Sequence, residues 1–141
     1  MKWIYSDGGR KEAKYKGSTG DCACRAIAII TGLTYQMVYN SLNVAAMCER
    51  TGKRKCGKSN ARLGMYKNTV RKYLLALGMK WTPTMAIGSG CKVHLKTDEL
   101  PQGKLIVCVS KHYTAVIDGV IYDTFDPSRD ETRCVYGYYS L

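Results

Sequence analysis

The period of the hydrophobic pattern changes about halfway along the chain. Up to Gly78, apolar residues recur three and four positions apart, which is typical of amphipathic helices. Beyond Gly78 they form short runs between Gly, Pro and Asp-Gly, as in strands and turns, and Leu105–Ser110 and Val135–Tyr139 are two such runs. This order predicts an α+β domain with N-terminal helices packed on a C-terminal antiparallel sheet.

Three helices are predicted, and each has a recognisable start. Asp21 is suited to cap the first helix and Thr34 the second, because short polar side chains accept backbone hydrogen bonds at these positions. Gly32 ends the first helix, and the third begins near Asn68. Cys22 therefore falls in the first turn of the first helix.

The clearest strand pattern is a hairpin near the C-terminus. Two runs of branched and aromatic residues flank the dipeptide Asp118-Gly119, which is typical of a two-residue turn. Counting outwards from that turn places His112 opposite Phe125. Because strand side chains alternate between faces, His112 and Asp123 are expected to be diagonal neighbours on one face.

The chain has 141 residues, a usual length for one domain, and no repeat or linker divides it, so residues 1–141 are predicted to form a single domain. It has no apolar run of about 18 residues and no signal-peptide core, so we expect a cytoplasmic protein with no membrane partner. Its seven Cys show no CxxC spacing or four-ligand set. We therefore expect free thiols, no metal and no cofactor.

Positive charge is concentrated in one segment. The chain has a formal net charge of +11, and Arg50–Lys58 contains five basic residues and no acid. Such charge favours an anionic partner, and the candidate binding residues are Lys53, Arg54, Lys55 and Lys58. The segment is predicted to be either a solvated loop or a contact for nucleic acid.

Cys22 is the candidate nucleophile. At the start of a helix, unpaired backbone N–H groups and the helix dipole stabilise a thiolate. Cys24 would point about 200° away around the helix, so it is the alternative nucleophile. A thiol also needs a base, and His112 directly precedes a hairpin strand, whereas His94 lies in a weakly patterned polar segment. His112 is therefore the predicted base.

Two carboxylates are candidates for orienting His112. Asp123, its diagonal neighbour, could accept a hydrogen bond from the imidazole and hold its tautomer. Asp126 has the opposite strand parity, but a bend before Pro127 would bring it in. The sequence thus predicts a catalytic triad of Cys22, His112 and either Asp123 or Asp126.

These residues together resemble a known family. The stretch GDCACRAIAII opens a helix, and KHYTAVIDGVIYDTFDP forms the later hairpin. The order Cys, His, Asp resembles that of papain-like and transglutaminase-like enzymes, above all the compact bacteriocin-processing peptidases, in which the catalytic Cys also follows an Asp. The chain also resembles uncharacterised phage and prophage proteins that share the GDC and HxxAVIDGVxxDTxD patterns. The resemblance implies a papain-like cysteine protease fold and, for a phage-encoded protein, the host cytoplasm.

One position departs from the papain-like pattern. Those enzymes carry a Gln six residues before the nucleophile that stabilises the oxyanion, and here this position is Lys16, with no Gln before Cys22. The backbone N–H of Cys22, with a donor from Ser18, Thr19 or Lys16, would have to take over that role.

Two functions are compatible with this sequence. The first is a cysteine-dependent acyl hydrolase or transferase in which the Cys22 thiolate attacks a carbonyl of a polypeptide substrate. Peptidases, isopeptidases and deamidases share this chemistry, and the sequence does not separate them. The second is a catalytically inactive papain-like scaffold, a phage-type protein that binds nucleic acid or a host protein through the basic loop.

Overall fold

The computed structural model describes residues 1–16, 20–50, 57–86 and 88–141. Three α-helices lie within these ranges: α1 (Cys22–Thr31), α2 (Tyr35–Ala46) and α3 (Lys67–Ala76). Six strands accompany them: β1 (Trp3–Tyr5), β2 (Lys80–Pro83), β3 (Lys104–Val109), β4 (His112–Ile117), β5 (Val120–Asp123) and β6 (Gly137–Ser140). None of the described helices is long and apolar enough to cross a bilayer.

The strands form one open, mixed sheet in the order β1-β5-β4-β3-β6-β2. The predicted α+β class is confirmed, but the purely antiparallel, C-terminal sheet is wrong, because β1 pairs parallel with β5. All three residues of β1 are exposed, so no buried alternation reveals the strand in the sequence. It is held by backbone pairing and by Trp3, whose indole N–H donates to the Asp123 carbonyl at 3.0 Å.

Helices cover one face of the sheet, and loops cover the other. Ile106 and Cys108 of β3 pack with the buried sides of the helices. Leu105 and Val107 of the same strand pack in a second cluster with Leu95, from the segment before the strand. Because β3 is buried on both faces, it is a continuous apolar run rather than an alternating one.

The β4–β5 hairpin has the predicted register. Ile117 pairs with Val120 across the turn. Asp118-Gly119 has left-handed φ values of 49° and 78°, as a type I′ turn requires. His112 and Phe125, which this register places opposite each other, have ring centroids 5.1 Å apart.

Three of the four predicted helix ends behave as expected, and one of them is the start of α3 at Lys67, next to Asn68. The Thr34 hydroxyl accepts the Met37 N–H at 3.2 Å, and Gly32 ends α1 with a φ of 75° and a hydrogen bond to the Ala28 carbonyl. Asp21 precedes α1, but its side chain makes no capping hydrogen bond. Its carboxylate is buried and has a different use, described below.

Cys91 and Cys134 form a disulfide, with Cα atoms 5.8 Å apart. The expectation of free thiols is therefore wrong for this pair, because their proximity depends on chain segments 43 residues apart in sequence. The bond ties the segment before β3 to the one that leads into β6. Cysteines that are free within the described ranges are Cys22, Cys24, Cys48 and Cys108.

Candidate active site

The first residue of α1 and the first residue of β4 meet. Helix α1 packs mainly on β4 and buries Ala23, Ala26 and Ile27. Cys22 begins α1 and His112 begins β4, so the packing of the two elements brings these side chains together. The Cys22 thiol and the His112 imidazole are close enough for each to shift the pKa of the other.

A tight turn determines where His112 lies. Val109 pairs with His112 across the β3–β4 hairpin, which leaves only Ser110 and Lys111 in the turn. Lys111 adopts a left-handed φ of 56°, which is uncommon for a residue other than Gly. This turn keeps His112 at the end of its strand, beside the start of α1.

Asp123 is the carboxylate that contacts His112. Its Oδ2 lies 2.7 Å from Nε2 of the imidazole, and both side chains are largely buried. Because Nε2 is hydrogen-bonded to Asp123, Nδ1 is the ring nitrogen that remains available to Cys22. Asp126 is exposed, and its Oδ1 accepts the backbone N–H of Ser128 at 3.0 Å. Of the two carboxylates that the sequence left open, the structure brings Asp123, and not Asp126, to the imidazole.

Further groups hold the Asp123 carboxylate in place. The Thr114 hydroxyl donates to Oδ2 at 2.7 Å, and the Thr124 N–H donates to Oδ1 at 2.7 Å. Arg25 Nη2 lies 3.7 Å from Oδ1. These donors and this cation favour the ionised carboxylate and fix its orientation.

The three groups of the candidate triad shift one another's pKa. Burial raises the pKa of the Cys22 thiol, but the hydrogen bond and charge of His112, with the Tyr113 N–H and Arg25, outweigh it and leave that pKa below its ordinary value. Burial lowers the pKa of His112, but Asp123 and Cys22 raise it to about 9. Burial raises the pKa of Asp123, yet the bond from His112 keeps it below its ordinary value. At neutral pH these directions favour a thiolate paired with an imidazolium.

An ion-pair network connects the residue before Cys22 to Asp123. The buried Asp21 carboxylate accepts from Arg25 Nη1 at 2.5 Å and from the Tyr35 hydroxyl at 2.6 Å. Arg25 thus contacts Asp21 with one nitrogen and approaches Asp123 with the other. Sequence reasoning missed Arg25, although its four-residue spacing from Asp21 on a helix was a usable indication.

The alternative nucleophile and base lie outside the cleft. Cys24 is fully buried, its thiol lies 3.7 Å from the Tyr35 carbonyl, and burial raises its pKa to about 12. His94 Nδ1 lies 3.3 Å from the Glu99 carboxylate. Cys22 and His112 line the cleft described next, and neither alternative does so.

An open cleft of about 420 Å³ gives access to Cys22. Leu63 and Phe125 line it as apolar side chains that are 73% and 46% exposed. The basic residues that line it are Arg25, Lys67, Lys111 and His112. No acidic side chain among the described residues does so, and the cleft therefore presents positive charge to a substrate.

Gly20 holds one wall of this cleft, residues 63–65. The Gly20 N–H donates to the Arg62 carbonyl at 2.9 Å. A Cβ on Gly20 would lie 2.5 Å from the Leu63 carbonyl oxygen, so the close approach of the two backbones requires glycine.

Replacing Gly20 by Ala is expected to lower the free energy of unfolding by about 1–3 kcal/mol, because the backbone at Leu63 must move to make room for the methyl group. Urea denaturation measures the change. Gly57→Ala is the matched control, since a Cβ there meets no atom of the described residues within 4 Å. That control should stay within about 0.5 kcal/mol of the unmodified protein. Equal losses in the two variants would contradict the close contact.

The donors for an oxyanion are described in part. The Cys22 N–H lies in the first turn of α1, where helix geometry provides no intrahelical acceptor, so it can serve a developing negative charge. Lys16 is exposed, and its backbone carbonyl accepts Arg62 Nη2 at 2.7 Å. Ser18 and Thr19 lie outside the described residues. A second donor from Lys16, Ser18 or Thr19 stays a prediction.

The predicted basic binding loop is also described only in part. Lys53, Arg54 and Lys55 lie outside the described residues. Lys58 is exposed, and its ammonium donates to the Met47 carbonyl at 2.7 Å. Binding of nucleic acid through this loop stays a prediction.

Cys22, His112 and Asp123 place a nucleophile, a base and an orienting carboxylate next to one another at the edge of an open cleft. No family model, no curated protein and no solved structure matches this chain. The chemistry of these three side chains is therefore the basis for a proposal about function.

Proposed function

We propose that this protein is a cysteine-dependent acyl hydrolase or transferase with a papain-like fold, which acts on a polypeptide substrate as a peptidase, isopeptidase or deamidase. The observation that carries the proposal is that Cys22 and His112 line one cleft and shift each other's pKa, while the imidazole is hydrogen-bonded to the Asp123 carboxylate. The position of Cys22 at a helix start, facing a His at a strand start, supports a papain-like arrangement.

The first half of the reaction forms a thioester. The Cys22 thiolate attacks the acyl carbon, and the Cys22 N–H donates to the oxygen as it gains negative charge. His112 Nδ1–H gives its proton to the leaving nitrogen, and the C–N bond breaks, so that this nitrogen departs as an amine, or as ammonia in a deamidation. The acyl group then remains on the Cys22 sulfur, and His112 is neutral.

The second half releases the acyl group. Neutral His112 takes a proton from water in a hydrolase, or from an acceptor amine in a transferase, and that nucleophile attacks the thioester carbon. The C–S bond breaks, and the thiolate and the imidazolium are restored. Asp123 accepts from Nε2–H throughout, which keeps Nδ1 directed at the thiol.

Acetylation by p-nitrophenyl acetate tests this chemistry without knowledge of the natural substrate. We expect a stoichiometric burst of nitrophenol and an acetyl group on Cys22, located by peptide mass mapping. Exposed Cys48 in the same sample is the internal reference, and it should be acetylated more slowly because it lacks a His partner of this kind. Cys22→Ala should abolish the burst.

The opposite result is equally informative. If Cys22 is acetylated no faster than Cys48, the enzyme proposal fails. The alternative, an inactive scaffold that binds nucleic acid or a host protein, would then take its place.

A further inference from the structure

A second cavity, the aromatic groove, adjoins the cleft. It has a volume of about 310 Å³ and lies between the start of α3 and strands β2, β3, β4 and β6. Its aromatic lining residues are Trp81, Tyr113, Tyr136 and Tyr139. Three residues, Lys67, Cys108 and Tyr113, line both this groove and the cleft that contains Cys22. A ligand in the groove would therefore extend towards the thiol.

Trp81 forms the floor of the groove, and it can lie close to the sheet because Gly137 has no side chain. The Trp81 indole lies directly on Gly137, where a Cβ would come within 2.3 Å of the ring. Trp81 and Tyr139 contact each other with centroids 4.7 Å apart, so the two rings support each other. Such a floor suits a flat apolar or aromatic side chain.

The rim of the groove is cationic. Lys67 and Arg71 line it from α3, and both are exposed. The Lys67 ammonium lies 5.2 Å from the centroid of the Tyr136 ring. Within the part of the chain that the structure describes, neither cation forms an ion pair, and no acidic side chain lines the groove. An anionic group, such as a carboxylate, complements the charge of this rim.

We propose that the aromatic groove binds the part of a polypeptide substrate next to the scissile acyl group, and that this part carries an acidic and an aromatic side chain. The inference rests on the proposed function, because it assigns a substrate class to the same Cys22 site. Bases and phosphates of single-stranded nucleic acid would also meet rings and cations. A polypeptide fits better, because the groove adjoins the cleft that contains Cys22, whose proposed reaction requires an acyl carbon.

Binding is measured on the full-length Cys22→Ala variant, so that no turnover occurs. The probe is a fluorescein-labelled random copolymer of Glu and Tyr, followed by fluorescence anisotropy. A Lys–Tyr copolymer and an oligo-deoxythymidine of similar length are the comparison probes. We expect the Glu–Tyr copolymer to bind most tightly and the Lys–Tyr copolymer not to bind.

Charge reversal locates the binding site. Lys67→Glu with Arg71→Glu is expected to weaken binding of the Glu–Tyr copolymer by roughly tenfold or more, since two charge-assisted contacts become repulsive. The matched control, Lys2→Glu with Lys11→Glu, changes the net charge equally at exposed positions outside the groove, and Lys2 lies beside β1, at the edge of the sheet opposite β2. It should alter binding by no more than about twofold, because distant exposed charges are screened.

Trp81→Leu tests the aromatic floor, and it should weaken binding of the Glu–Tyr copolymer while the circular dichroism of the fold is retained. If that variant unfolds, the charge-reversal variant of Lys67 and Arg71 on the exposed rim still tests whether the groove binds the copolymer. With the unmodified protein, unlabelled Glu–Tyr copolymer should also slow alkylation of Cys22 by iodoacetamide, because the bound copolymer would cover the thiol.

Three results would overturn the inference. Equal weakening in the two double variants would mean unspecific attraction by net charge. Tighter binding of oligo-deoxythymidine, lost on reversal of Lys67 and Arg71, would make the groove a nucleic-acid site. Binding that depends on these cations but leaves alkylation of Cys22 unchanged would separate the groove from the reaction. Failure of the proposed function appears separately, as an unreactive Cys22 in the acetylation test.

Discussion

Alkylation of Cys22 by iodoacetamide at pH 6 is expected to slow by up to about a hundredfold when His112 is replaced by Ala, because an ordinary thiol with a pKa of about 8.5 is almost entirely protonated there. In the unmodified protein, His112 holds the pKa of Cys22 below its ordinary value even though burial raises it. Without the imidazole, only the smaller effects of the Tyr113 N–H and Arg25 oppose the effect of burial on this pKa. The rate should therefore recover only at high pH.

The pH profile provides a second readout of the same pair. Acyl transfer needs protonated His112 to donate to the leaving amine, and the pKa of His112 is raised to about 9. The rate of amide hydrolysis should accordingly stay constant through neutral pH and decline as the pH rises through about 9. Alkylation of exposed Cys48, measured in the same digests, serves as the reference for general thiol reactivity. If the alkylation rate of Cys22 followed that of Cys48 at every pH, this would contradict an ion pair between the Cys22 thiolate and the His112 imidazolium.

Asp123→Asn is expected to impair both stability and reactivity, although it preserves the shape of the side chain. The carboxylate accepts hydrogen bonds from the His112 imidazole and the Thr114 hydroxyl at Oδ2, and from the Thr124 N–H at Oδ1. The single oxygen of Asn can occupy the position of either Oδ1 or Oδ2. Its NH₂ group then occupies the other position, where it faces a hydrogen-bond donor instead of accepting from it. One donor loses its acceptor, which costs about 1–3 kcal/mol of unfolding free energy.

The reactivity of Cys22 should fall as well, but less than in His112→Ala, because Asp123 acts only through the imidazole. Loss of its negative charge removes one cause of the raised pKa of His112, so the decline of activity at high pH should move to lower pH. Asp126→Asn is the control, since Asp126 is exposed and accepts only a local bond from Ser128 among the contacts described. Equal effects of the two substitutions on the pH profile would contradict the role given to Asp123.

The pH dependence of stability has a definite sign at Asp123. Its pKa is lowered in the folded state, so the stability it contributes is present above its ordinary pKa and is lost as the pH falls through the folded value. The Asn variant lacks this contribution at all pH values. Its deficit relative to the unmodified protein should therefore shrink in acid, as measured by urea denaturation at several pH values.

Local sequence was sufficient to predict the elements that carry the candidate triad. The Asp118-Gly119 turn determines the hairpin register, and the register determines that His112 and Asp123 are diagonal neighbours. The residue types at the two ends of α1 placed Cys22 at its start, although the Asp21 side chain does not cap the helix. These predictions succeeded because turn chemistry and side-chain alternation act over a few neighbouring residues.

Asp21 shows where local reasoning failed. Its type and position are those of a helix cap, but the buried Tyr35 and Arg25 offer its carboxylate stronger donors than the backbone does. The choice between capping and ion pairing depended on neighbours brought in by α2 and by the interior of α1. Such competition between a local bond and a tertiary one is invisible in a capping pattern.

By itself, the sequence determined the α+β order of elements, the hairpin register and the candidate nucleophile and base, because each depends on contacts between residues close together in the chain. Only the tertiary structure decided that β1 joins the sheet in parallel, that Cys91 pairs with Cys134, and that Asp123 rather than Asp126 orients His112. It also created the aromatic groove, whose walls come from one helix and four strands. Apart from the contact of Asp123 with His112, which lies within one hairpin, these features arise from the packing of segments distant in sequence. The hydrophobic pattern of any one segment does not specify which partner it meets.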